Sequence, residues 1–195
     1  KARKFILLWK LKFNLQLTKI MKKLFICASI LLLGSTIYAQ DNSENNKNQI
    51  YVGPGFGLDY GGIGAKIEYR PINQVSVFGG LGYNFVNLGW NVGATYNFNI
   101  SKKFELGPTA MYGYNGAIRI EGAPHLDKVS NGPSFGVSGN VKFNDKGKLN
   151  FGLYFPIRSK EFTDHYDMVK NSPYIDMQNS LVPVAFSVGY NFRIN

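Results

Sequence analysis

Between Gln49 and Ile100 nearly every second residue is apolar, and the phase of that alternation changes only at turn-forming residues. Ile50, Val52, Pro54, Phe56, Leu58 and Tyr60 alternate with Tyr51, Gly53, Gly55, Gly57 and Asp59. A period of two belongs to a β-strand, whose successive side chains point to opposite faces. After Gly61-Gly62 the apolar set becomes Ile63, Ala65, Ile67 and Tyr69, opposite Lys66, Glu68 and Arg70. The pattern returns after Pro71 as Val75, Val77, Leu81, Tyr83 and Phe85, and after Gly89 as Trp90, Val92, Ala94, Tyr96, Phe98 and Ile100. Four strands are expected here, each long enough to cross a hydrocarbon layer at a tilt. Their connections at Asp59–Gly62, Pro71–Gln74, Val86–Leu88 and Ser101-Lys102 are short, as antiparallel hairpins in sequence order require.

The remainder of the chain repeats the pattern four more times. Phe104, Leu106, Pro108, Ala110, Tyr112 and Tyr114 form one set. Phe135, Val137, Val141 and Phe143 form the next, followed by a turn at Asp145–Lys148 and then Leu149, Phe151, Leu153, Phe155 and Ile157. The last set runs through Val182, Val184, Phe186, Val188, Tyr190, Phe192 and Ile194. Two long loops are expected, Asn115–Pro133 and Arg158–Leu181. The chain is therefore expected to be all-β, an eight-stranded antiparallel up-and-down barrel.

Such a barrel closes with its greasy face inside, as in lipocalins, or outside, as in outer-membrane proteins. The non-greasy set is dominated by glycine and asparagine and is too poor in charge for a soluble surface. The greasy set concentrates aromatic residues near strand ends. Tyr60, Tyr83, Phe85, Trp90, Tyr112 and Tyr114 fall near one rim, and Tyr69, Tyr96, Phe98, Phe104, Phe143, Tyr190 and Phe192 near the other. Two aromatic girdles predict a transmembrane barrel. With both termini periplasmic, the turns near Pro71, Lys102 and Lys146 lie inside and both long loops outside, the usual arrangement.

Charge and cysteine usage agree with export. The formal net charge of +10 is concentrated in residues 1–40, which hold eight Lys/Arg and no Asp/Glu; the rest carries 14 basic and 12 acidic side chains. A nucleic-acid partner is not supported by so small an excess. Met21-Lys22-Lys23, the apolar run Leu24–Leu33 and Thr36–Ala39 read as a secretory signal peptide over residues 21–39, with residues 1–20 as translated upstream sequence or an extended n-region. The single cysteine, Cys27, lies within that leader. Residues 40–48 read as a flexible periplasmic lead-in and 49–195 as the barrel.

Over residues 40–195 the chain resembles the small eight-stranded outer-membrane barrels of the OmpA-like and OmpX-like type, especially those of Bacteroidetes. The most specific motif is a carboxyl-terminal assembly signal, matched by Ser187, Gly189, Phe192 and Ile194. The family usually ends on an aromatic residue, whereas this chain ends Ile194-Asn195. The resemblance implies insertion by the barrel-assembly machinery and outer-membrane lipids as surroundings.

Three groups of residues are candidates for function. Lys66, Glu68, Arg70, Glu105, Lys142 and Arg193 face the lumen, either as a charged gate or as a salt-bridge plug; pairing of buried charge favours the plug. Gly53, Gly55, Gly57, Gly62, Gly64, Gly80 and Gly82 leave inward room that Tyr51, Phe78, Met111 and Tyr154 are expected to fill. Pro54, Pro108 and Pro156 are expected to mark bulges. His125, Asp127, Asp164, His165 and Asp167 lie in the long loops, where an extracellular ligand could bind. Neither a nucleophile elbow nor HExxH is present, and no metal or cofactor is expected. The expectation is a non-enzymatic envelope structural or surface-binding barrel. Passage of small solutes or apolar ligands is the second reading, and a lipid-modifying or proteolytic barrel the third.

Overall fold

The computed structural model describes residues 48–144, 146–173, 175 and 180–195. The expected leader, most of the lead-in and Asp145 of the expected turn lie outside the described residues. The strands are β1 (Gln49–Gly57), β2 (Gly62–Ile72), β3 (Val75–Tyr83), β4 (Leu88–Tyr96), β5 (Phe98–Asn99), β6 (Phe104–Ile118), β7 (Lys128–Lys142), β8 (Gly147–Pro156) and β9 (Ala185–Arg193). Consecutive strands pair antiparallel, except that β4 and the two-residue β5 do not pair with each other and share one position in the wall beside β6. Closure comes from β1 against β9, with Tyr51 opposite Arg193 and Gly57 opposite Ser187. The result is a closed eight-stranded antiparallel barrel, as the alternation predicts.

Pro54, Pro108 and Pro156 do not mark bulges, although Pro71 lies within a register shift. Pro54 and Pro108 hold continuous register with Ala65 and Val137 on one side. On the other side the ladder is interrupted, between Val52 and Gly55 along β9 and between Thr95 and Phe98 along β6. A residue without an N–H leaves a gap of this kind without inserting an extra residue. The register shifts lie elsewhere, between Tyr69 and Ile72 and between Tyr114 and Gly116.

Two connections differ from expectation at the end of the barrel away from the termini. The expected loop Asn115–Pro133 is largely strand, because β6 and β7 continue as a hairpin with a short 3-10 turn at Pro124–Leu126. Above Gly113 the strand β6 has only β7 beside it. An isolated two-stranded ribbon is marginal, and here it is covered. The expected loop Arg158–Leu181 contains a helix, α1 (Lys160–Lys170), capped by the Ser159 hydroxyl, which accepts from Phe162 N. Its buried Phe162, Tyr166 and Val169 recur at helical spacing and pack with Ile118 and Ile120 of the ribbon. Leu126, Ile175 and Leu181 complete this satellite core.

The third difference is inside the barrel. The alternation places Leu58 and Tyr60 on the outer face, with Tyr60 in a rim girdle, but the chain leaves β1 at Gly57 and turns into the lumen. Leu58, Asp59 and Tyr60 form a buried 3-10 turn, with Tyr60 fully buried. Gly57, Gly61 and Gly62 bracket it at φ of 123°, 71° and 115°, in the region that L side chains avoid. The turn is held by Gly61 N donating to Leu58 O and by Asn91 Nδ2 donating to the same oxygen at 2.6 Å. Inward glycines make the room: a Cβ on Gly55 or Gly189 would collide with the Tyr60 ring, and one on Gly80 with the Asp59 carbonyl. The space the glycines leave is thus filled by this turn as well as by Tyr51, Phe78, Met111 and Tyr154, all buried.

Gly80→Ala should therefore destabilise the barrel by about 1–3 kcal/mol through overpacking, read as a lower unfolding midpoint. Gly79→Ala is the control, since its Cβ would meet nothing closer than 4.0 Å. Equal shifts in the two variants would contradict the inward turn.

Candidate functional site

The lumen between the inward turn and the terminal end is the most elaborate polar site among the described residues. Strand alternation brings Lys66, Glu68 and Arg70 from β2 inward, with Glu105 from β6, Asn140 from β7 and Lys148 and Asn150 from β8. Asp59 descends into it from the turn. Three cations and three carboxylates are buried, each 4 % exposed or less: Lys66, Arg70 and Lys148 against Asp59, Glu68 and Glu105. The buried set is formally neutral.

The pairing runs in two layers. In the upper one Lys66 Nζ donates to Asp59 Oδ2 at 2.5 Å and to Asn150 Oδ1, and lies 4.5 Å from the centre of the Tyr60 ring. Tyr60 Oη donates in turn to Asn191 Oδ1 at 3.3 Å. In the lower layer Arg70 Nε donates to Glu68 at 2.6 Å and Nη1 to Glu105 at 2.8 Å, while Lys148 Nζ donates to Glu68 at 2.7 Å. Tyr51 closes this layer toward the termini, its ring centre 4.0 Å from Lys148 Nζ and 5.4 Å from the Arg70 guanidinium carbon. Hydroxyls tie the remaining walls together in a relay, Thr95 with Thr109 at 2.8 Å, Thr109 with Ser138 at 2.7 Å and Ser138 with Tyr154 at 3.0 Å. The space bordered by Asp59, Lys66, Phe78 and Asn150 amounts to about 10 Å³, room for about one water.

Of the lumen residues expected from sequence, Lys66, Glu68, Arg70 and Glu105 come together. Lys142 sits at the mouth and pairs with Glu105. Arg193 also sits at the mouth, where its Nε donates to the main-chain oxygen of Asn195 at 2.6 Å and, among the described residues, to no carboxylate side chain. Asp59 and Lys148 were both missed, because each was assigned to a turn. For Lys148 a signal existed: it shares its parity with Asn150, Gly152 and Tyr154, the inward set of its strand. Ser187 and Gly189 face inward, whereas Phe192 and Ile194 are 51 % and 62 % exposed on the outside.

The two loop segments meet where His165 contacts Leu126, between His125 and Asp127. His165 Nε2 lies 2.8 Å from Leu126 O, Asp127 Oδ1 accepts from Ile120 N, and Asp164 accepts from Lys160. These contacts hold α1 and the ribbon turn in place. His125 and Asp167 are exposed. Lys128 donates to Glu161 at 2.7 Å, which holds that exposed carboxyl below its usual range. Among the described residues no group of three or more His, Cys, Asp or Glu side chains could hold a metal ion. The lumen network pairs its buried charges across strands.

Glu68 is bonded to two buried cations, so Glu68→Gln should cost about 3–5 kcal/mol, the penalty of breaking a buried pair. Replacing Glu68 and Lys148 together by Gln and Met should recover part of that loss. Glu161→Gln at the surface should leave the unfolding midpoint where it is. A Glu68→Gln variant as stable as the parent would show that the network carries no structural role.

No protein-family model matches the chain, and no curated protein is significantly similar to it.

Proposed function

We propose that this chain is an outer-membrane β-barrel, exported by a cleaved signal peptide, that serves as a non-enzymatic envelope structural or surface-binding barrel with a plugged lumen. The observation that carries this reading is the inversion of the barrel. Ile63, Ile67, Leu81, Val92, Val137 and Leu153 are each 43 % to 54 % exposed on the outer wall. Lys, Arg, Asp and Glu are buried within. Monomers in water rarely expose apolar patches beyond a few hundred Å², whereas a lipid-facing wall requires a continuous apolar band.

Aromatic residues border the band at both levels. Trp90 and Tyr112 are in contact at 6.2 Å near the loop end, and Tyr96–Phe98 and Tyr190–Phe192 at 4.9 and 4.7 Å near the terminal end. Such girdles sit at membrane interfaces. Short turns and the termini share one end, which supports a periplasmic placement for it, with α1 and the ribbon outside. Outward Phe192 and Ile194 suit recognition by the barrel-assembly machinery. The filled lumen supports a plug over solute passage, and the packed loops supply an ordered outer surface for binding. None of the described helices is long and apolar enough to cross a membrane.

Protein purified from membranes in detergent should migrate faster on a denaturing gel before boiling than after, with a β-type circular dichroism spectrum. In planar bilayers it should give no sustained conductance steps. Recovery from the soluble fraction without a mobility shift would refute the membrane reading; steady conductance would refute the plug alone.

A further inference from the structure

We propose that the mouth of the barrel at the terminal end is a binding site for a small water-soluble ligand carrying two or more anionic groups, phosphate or carboxylate. A cavity of about 630 Å³ opens there, within the range of small-molecule sites. Tyr51 forms its floor, with its hydroxyl donating to Gln49 Oε1 at 2.8 Å. Lys102 and Lys103 enter from the β5–β6 turn, Lys142 from the end of β7 and Arg193 from the end of β9. No carboxylate is among the described residues that line it.

The charge at this mouth is not cancelled from within. The buried network is neutral by its own pairing; among the described residues Lys142 is paired with Glu105 and Arg193 with the main-chain oxygen of Asn195, while no carboxylate lies within ion-pair distance of Lys102 or Lys103. Arg193 is oriented by its bond to the Asn195 carbonyl. Like charges gathered in a concave site with low-dielectric walls focus a field that attracts counter-charge. The cations come from the β5–β6 turn around to β9, across nearly half of the barrel's circumference. One anionic group cannot meet all of them, so the site fits a ligand with at least two. The cations line the cavity together with Phe143, whereas the outer wall at this level carries Phe98 and Phe192. That arrangement favours a ligand arriving from water over a lipid headgroup arriving from the side. This inference rests on the end of the barrel and not on what surrounds its wall.

The test is calorimetric titration of the full chain in zwitterionic detergent with pyrophosphate, with citrate, and with a short-chain anionic phospholipid. Saturable binding of pyrophosphate or citrate that weakens with added salt is expected. The Lys102→Ala/Lys103→Ala variant, whose residues are exposed at a turn, should weaken it about tenfold or more, the loss of one or two charge-assisted bonds. Lys160→Ala/Lys170→Ala removes the same charge at the opposite end and should leave the affinity unchanged. Circular dichroism and the gel shift confirm that both variants fold. Absence of saturable binding at millimolar concentrations would overturn the proposal. So would an equal loss in both variants, or binding of the phospholipid alone.

Discussion

Eight strands enclose a lumen just wide enough for side chains to fill, and what fills it constrains everything else in this structure. With apolar residues committed to the outer wall, the interior must be built from polar groups, and buried polar groups are costly unless paired. The chain meets this with three buried cations against three buried carboxylates, linked through Asn140 of β7 and Asn150 of β8. No single strand contains a complete set. Glu68 of β2 depends on Lys148 of β8, and Glu105 of β6 on Arg70 of β2, so these charges are paired only when the barrel is closed. Pairing across the lumen thus couples closure to charge neutralisation.

The inward turn at Leu58–Tyr60 follows from the same constraint. The strands that surround it carry glycine on their inner faces, which leaves a gap that side chains from the wall alone would not fill. Folding the β1–β2 connection into that gap supplies a ring, an aliphatic side chain and a carboxylate at once. The carboxylate matters most: without Asp59, Lys66 would be a buried cation with no acid bonded to it. Above the barrel the opposite solution is used, where α1 lays an apolar stripe on the ribbon of β6 and β7 and builds a second small core outside the wall.

Most of the wall was legible in the sequence because its side chains obey a period of two, and strict alternation needs no tertiary knowledge to read. Lys66, Glu68, Arg70 and Glu105 were placed inward by parity alone. Parity fails where the backbone leaves the strand. Tyr60 continues the even apolar series without a break, yet three glycines at positive φ redirect it inward, and nothing in the alternation records where the strand stops. Lys148 was hidden by a neighbouring turn, although its phase matches Tyr154. The helix was hidden by its length: Phe162, Tyr166 and Val169 are helically spaced, but three apolar positions in a polar stretch stand out poorly beside eight strands. The basic mouth is assembled from three separate chain segments and has no local signature.

The central claim is an inverted barrel: apolar outside, charged and closed inside. It is tested most directly by placing single cysteines along β2 from Ile63 to Arg70 in the exported part of the chain, attaching nitroxide labels, and measuring their accessibility to oxygen and to a water-soluble relaxant in lipid vesicles. The account predicts oxygen-rich, relaxant-poor environments at 63, 65, 67 and 69. Positions 64, 66, 68 and 70, those that tolerate a label, should be shielded from both. Odd positions reached by the water-soluble reagent would mean that the apolar wall faces water and would contradict the account.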